Sequence, residues 1–153
     1  MGSGGAAVRK ILCLGALVLA ALGTPASAGQ NAAALIAGAG LIGTWATDCA
    51  KDAGARAPGF RIILAHPPGG GLTYTTINVD KGVRMTIRSA ILAAVPVGAN
   101  RLRITFRIIG GTRNGGMLPS PRASTFAQTI EWLDHDRIAL IDAGSGWLAR
   151  CRN

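Results

Sequence analysis

The sequence is poor in acids, aromatics and histidine. Seven Asp and Glu stand against 16 Lys and Arg, aromatic residues make up 5%, and His occurs twice in 153 residues. Glycoside cleavage needs two inward carboxylates, but Glu131 falls on an outward strand position and Asp142 has no evident mate. A nucleophile needs a base beside it. No serine has a G-x-S-x-G setting, and Gly144-Ser145-Gly146 reads as a turn. His66 and His135 both fall at expected turns, His135 between Asp134 and Asp136. Two such turns on one rim permit a two-His, carboxylate metal site. Turn preference explains the aspartates equally well, so neither a metal nor a cofactor is expected, and the chain reads as a non-enzyme. The apolar run near the N-terminus spans about twelve residues, short of the roughly twenty a spanning helix needs, so an integral membrane protein is not expected.

The chain does have the layout of an export signal. Arg9 and Lys10 precede an apolar stretch from Ile11 to Leu22, and Pro25 leads into Ala26-Ser27-Ala28, a small-x-small cleavage site. Cys13 lies inside the apolar stretch, behind Leu12, which does not suit a lipid-anchored precursor. The expected organisation is a cleaved signal over residues 1–28, an Ala/Gly-rich lead-in over 29–42 and one domain over 43–153, in a periplasmic or secreted protein. The lead-in is either a short helix capped by Asn31 and ended by Gly38 or a loose segment.

Without Arg9 and Lys10, the 16 basic residues become 14 against 7 acidic ones. A basic surface attracts anions. Outside the cytoplasm these are envelope components rather than nucleic acid, although net charge also serves solubility alone. Two cysteines remain, Cys49 and Cys151, and an exported chain with one pair predicts one disulfide.

From Gly43 onward the apolar pattern has period two. Leu102, Ile104, Phe106 and Ile108 alternate with Arg101, Arg103, Thr105 and Arg107, as a half-buried strand requires. Val83, Met85 and Ile87 alternate with Arg84, Thr86 and Arg88. Phe126, Gln128, Ile130 and Trp132 alternate with Thr125, Ala127, Thr129 and Glu131. Weaker runs begin near Trp45, Phe60, Leu72, Arg137 and Trp147. Turns are expected at Pro67–Gly71, Asp80–Gly82, Pro96–Asn100 and Asp134–Asp136, and one long exposed loop over Gly110–Pro121. The fold class is all-β: a small antiparallel meander barrel of about eight strands, or alternatively a sandwich. One conflict arises. In an eight-strand meander the first and last strands are neighbours, with Cys49 and Cys151 on opposite rims. A six-residue strand rises roughly 20 Å, whereas a disulfide spans about 7 Å between Cα atoms. Either the closing register or the strand count has to give way.

Gly43-Thr44-Trp45 resembles the G-x-W signature that opens calycin barrels, the superfamily of lipocalins, avidins and bacterial metalloprotease inhibitors. The resemblance implies that Trp45 plugs one barrel end and that a late basic residue, Arg150, packs over it. Trp147 is expected as a second core plug. Gly43–Cys49 and Trp147–Cys151 also resemble segments of small secreted proteins of alphaproteobacteria. Function is expected to be binding: a small apolar ligand in the barrel mouth, or an anionic envelope component on a face of Arg84, Arg88, Arg101, Arg103 and Arg107, whose guanidinium groups match carboxylate and phosphate. The alternative implied by the resemblance is a protease inhibitor whose lead-in enters the protease cleft.

Overall fold

The computed structural model describes residues 28–50, 58–68, 70–119 and 124–152. The expected signal, apart from Ala28, lies outside the described residues. A helix, α1 (Ala28–Gly38), is followed by β1 (Gly43–Ala46), β2 (Gly59–Ala65), β3 (Thr73–Asp80), β4 (Val83–Gly98), β5 (Arg101–Arg113), β6 (Gly116–Met117), β7 (Thr125–Asp134), β8 (Arg137–Leu140), a 3-10 turn (Ile141–Ala143) and β9 (Trp147–Cys151). Eight strands pair antiparallel in meander order, and β9 closes onto β1 to complete a barrel. β6 is an extra strand, paired only with β5.

Closure and the disulfide coexist because β1 is short. It ends at Ala46, and the chain bends at Thr47. Cys151 pairs with Thr44, and Cys49 reaches it across a Cα–Cα distance of 5.2 Å. Cys49 Sγ lies 3.7 Å from the Ala149 carbonyl oxygen, so the segment after β1 folds back over the outside of β9. The expectation that the first strand continues to Cys49 was the error. Neither the closing register nor the strand count had to give way: the start of β1 pairs with the end of β9 in an eight-strand closure.

The lead-in is the helix alternative, but Asn31 does not cap it: α1 begins at Ala28 and Asn31 lies inside it. Its terminator is Gly40, at φ +68°, rather than Gly38. The Leu41 amide donates to the Ile36 carbonyl at 3.0 Å and the Gly40 amide to that of Ala37 at 2.9 Å. This pairing closes a helix on a left-handed glycine, with the apolar contact Ile36–Leu41 beneath it. α1 packs on β4 and buries Ala32 and Ile36 completely. It covers the barrel end that carries the β2–β3, β4–β5 and β7–β8 turns.

Three expectations about strand ends are corrected. First, β4 does not give way to a turn at Pro96 but runs on to Gly98. Its ladder with β5 absorbs Leu92, Val97 and, from β5, Ile109 as extra residues at three register shifts. β3 pairs no further along β4 than Ala90, so Pro96 lies where no strand flanks that side and its missing N–H breaks no ladder there. Second, Gly110–Pro121 is not one loop. β5 continues to Arg113 and turns into β6 at Asn114-Gly115, with φ values of +49° and +86°. Two positive φ values define the hairpin turn for which Asn-Gly is the strongest short signal. Third, Gly111 belongs to the ladder: a Cβ there would lie 2.9 Å from both Ile87 Cδ1 and the Thr86 carbonyl oxygen. Only glycine lets β4 and β5 approach this closely under Leu118.

Candidate functional site

The barrel interior is filled. Trp45, Ile62, Leu64, Ile104, Phe106, Ile130, Ile138, Leu140 and Leu148 are at most 1% exposed. Tyr74, Phe106 and Phe126 form an aromatic series with centroids 4.4 and 5.0 Å apart. The Tyr74 hydroxyl donates across the lumen, from β3 to β7, to Gln128 Oε1 at 3.0 Å. Side chains of the described residues thus fill the middle of the lumen, as small barrels of this size are filled. Burial pushes the Tyr74 phenol well above its ordinary pKa. A raised folded-state pKa adds stability that is complete below the unfolded value, about 10, and is lost as pH rises toward the folded one. Tyr74 is the one tyrosine in the chain, so tyrosinate absorbance at 295 nm should stay flat past pH 10 and rise together with loss of the β-sheet circular dichroism. A smooth titration centred near pH 10 in the folded protein would contradict this burial.

One end of the interior is closed by Trp45. Its indole N–H donates to the Leu41 carbonyl at 3.0 Å, and the Arg150 guanidinium lies 4.2 Å over its ring. Trp147 does not share this role. It pairs with Ala139 on the outward face and is 48% exposed. The reason is strand alternation: Leu148 and Arg150 point inward, so Trp147 must point out.

The five arginines do not form one patch. Arg84 lies at the far end of the hairpin, where its backbone exchanges hydrogen bonds of 2.8 Å with Asn114. Arg101 is held by Glu131 of β7 at 3.1 Å. The remaining three lie opposite small or apolar residues: Arg103 opposite Val95, Arg107 opposite Ala90 and Arg88 opposite Gly110. No two arginines of the set face each other, which removes the direct repulsion that such a cluster would carry. Arg88, Arg103 and Arg107 make no ion pair with another described residue. Beside them stand Val95, Val97 and Ile109, each about half exposed at 51%, 49% and 50%. Val97 and Ile109 are residues at register shifts, which is why period-two reading missed them. The outer face of β4–β5 therefore interleaves cations unpaired among the described residues, Arg88, Arg103 and Arg107, with exposed aliphatic side chains.

The turn at His135 is occupied by other chemistry. Asp134 accepts from the Asp136 amide at 2.9 Å and from Arg137 at 2.7 Å, and the Arg137 bond is the main cause holding its carboxyl below the usual range. Asp136 accepts from Arg152 at 2.7 Å. Among the described residues, no three His, Cys, Asp or Glu come together as a metal site. Asp142 accepts from the Thr129 amide at 2.7 Å.

Two grooves flank the hairpin. One, of about 720 Å³, separates α1 from the β4–β5 turn and is lined by Leu35, Ala39, Pro96, Ala99 and Trp132. The other, of about 640 Å³, lies between the β2–β3 turn and Arg88. No helix among the described residues is long and apolar enough to cross a membrane. Comparison with protein-family models, with curated proteins and with solved structures gives no match to this chain.

Proposed function

We propose that this protein is a non-enzymatic binding module of the cell envelope, periplasmic or secreted, that recognises an anionic envelope component through the outside of a calycin-like barrel. The observation that carries this is the β4–β5 face, where Arg88, Arg103 and Arg107 make no ion pair with another described residue and stand among exposed Val95, Val97 and Ile109. Cations mixed with aliphatic side chains suit a surface with anionic head groups over hydrocarbon. The filled lumen argues against an internal ligand. The disulfide fits an oxidising compartment, and the export-like N-terminus agrees with it. The inhibitor reading is weakened by α1, because a segment with Ala32 and Ile36 fully buried is not free to enter a cleft.

The test is co-sedimentation with vesicles of phosphatidylcholine, with and without about one-third phosphatidylglycerol. Binding should require the anionic lipid and fall with salt. The double substitution Arg103→Glu/Arg107→Glu should weaken it at least tenfold, since each basic residue near such a surface contributes about 1 kcal/mol. The thermal midpoint should not change. Equal binding by the variant and the parent would rule out this face.

A further inference from the structure

Two grooves meet on the outside of the barrel at Arg88 and Ile109, which line both. The larger runs from Arg88 toward α1 over Ile91, Leu72, Pro67 and Ala33. The smaller, of about 260 Å³, runs the other way past Thr86, Thr112 and Met117. Their junction has three features that follow from register. Gly110 faces Arg88 across the ladder, and a Cβ built on it would meet nothing within 4 Å, so the space beside the guanidinium is open. Ile109 has no partner on β4 and stands half exposed at the edge of that space. Thr86 and Thr112 are cross-strand partners next along the same face, and both line the smaller groove with Arg88.

We propose that this trough is a discrete site for one single-chain anionic amphiphile. Its carboxylate or phosphate head would sit on Arg88, with Thr86 and Thr112 donating to the remaining oxygens. Its chain would lie along Ile109, Ile91 and Leu72. The charge argument is that Arg88 makes no ion pair with another described residue, while its planar donors fit an oxyanion in pairs. The apolar argument is the groove wall itself, which a bare phosphate would leave uncovered. The inference rests on the anion-binding reading above and deepens it, replacing a diffuse surface with one seat.

Isothermal titration calorimetry with the whole oxidised protein tests it, using decanoate, decyl phosphate and decanol below their aggregation limits. Saturable binding of either anion at one site, with decanol at least tenfold weaker, is expected. The tighter of the two anions distinguishes a fatty-acid head from a phosphate head. Arg88→Gln should weaken anion binding at least tenfold, and Ile109→Ser should weaken it in proportion to chain length. Arg103→Glu/Arg107→Glu should leave it unchanged while removing vesicle binding. Failure of the vesicle test with amphiphile binding intact would overturn the broad face and leave the trough standing. Equal binding by Arg88→Gln, equal binding of decanol, or no binding of either anion would overturn the trough.

Discussion

Arg150→Ala is expected to destabilise the protein by about 3–4 kcal/mol, because one guanidinium ties three backbone carbonyls of two segments, the α1–β1 connection and the β7–β8 turn, to β9. Its Nε donates to the His135 carbonyl at 2.7 Å, Nη1 to that of Ile42 at 3.0 Å, and Nη2 to that of Gly40. Its plane covers the Trp45 ring. Hydrogen bonds from a charged donor are worth about 1.5–3 kcal/mol each and a cation–π contact about 0.5–1. The side chain is 24% exposed, so water would recover part of this. For a domain of this size the thermal midpoint should fall by roughly 10 °C or more. Arg150→Lys should restore less than half, since an ammonium keeps the charge but neither stacks flat nor reaches three carbonyls. Gly43 is part of the same arrangement. At φ +143°, a Cβ there would lie 3.1 Å from Arg150 Nη1, so the glycine of Gly43-Thr44-Trp45 makes room for the guanidinium. A midpoint within about 2 °C of the parent would show that the arrangement is incidental.

The second large effect is expected from reducing Cys49–Cys151, or from Cys49→Ser/Cys151→Ser. The bridge spans 102 residues of sequence. The chain-entropy model assigns a loop of that size about 4.7 kcal/mol, comparable to the lower end of whole-domain stability, about 5 kcal/mol. Urea unfolding with and without reductant should therefore show a large fall in midpoint, and the reduced protein should be partly unfolded at 37 °C. A change below about 1 kcal/mol would mean that the unfolded chain retains structure around the bridge. Both effects act on the same seam. β9 joins β1 through only three residue pairs, the shortest junction in the barrel along with β8–β9. Arg150 points inward and Cys151 outward, so β9 is pinned from both sides. Because they share this seam, the two losses should not simply add.

Much of the fold was legible because its determinants are local. The alternation of Leu102, Ile104 and Phe106 with Arg101, Arg103 and Thr105 needs only a strand and one wet face, and the structure follows it. The same rule, applied throughout β9, would have placed Trp147 outside, since one strand cannot point both Trp147 and Arg150 inward. Asn114-Gly115 was a hairpin signal in plain view, hidden by the glycines and prolines around it. The candidate site was half legible. Arg88, Arg103 and Arg107 could be assigned to an outward face, but Val97 and Ile109 could not. A period-two pattern carries no mark of where an extra residue will be absorbed.

The sequence by itself determined the all-β class, the single disulfide and the inward side of the central strands. These follow from side-chain period, turn chemistry and cysteine count, which act over a few residues or by elimination. Tertiary structure alone decided the register. It set β4 against β5 with three slips, turned Ile109 outward beside Arg88, parted Arg84 from Arg103, and folded Cys49 back onto β9. Register depends on how the filled core and the covering helix fit around Tyr74, Phe106 and Ile36. That fit is a property of volumes meeting across the barrel, which no stretch of neighbouring residues encodes.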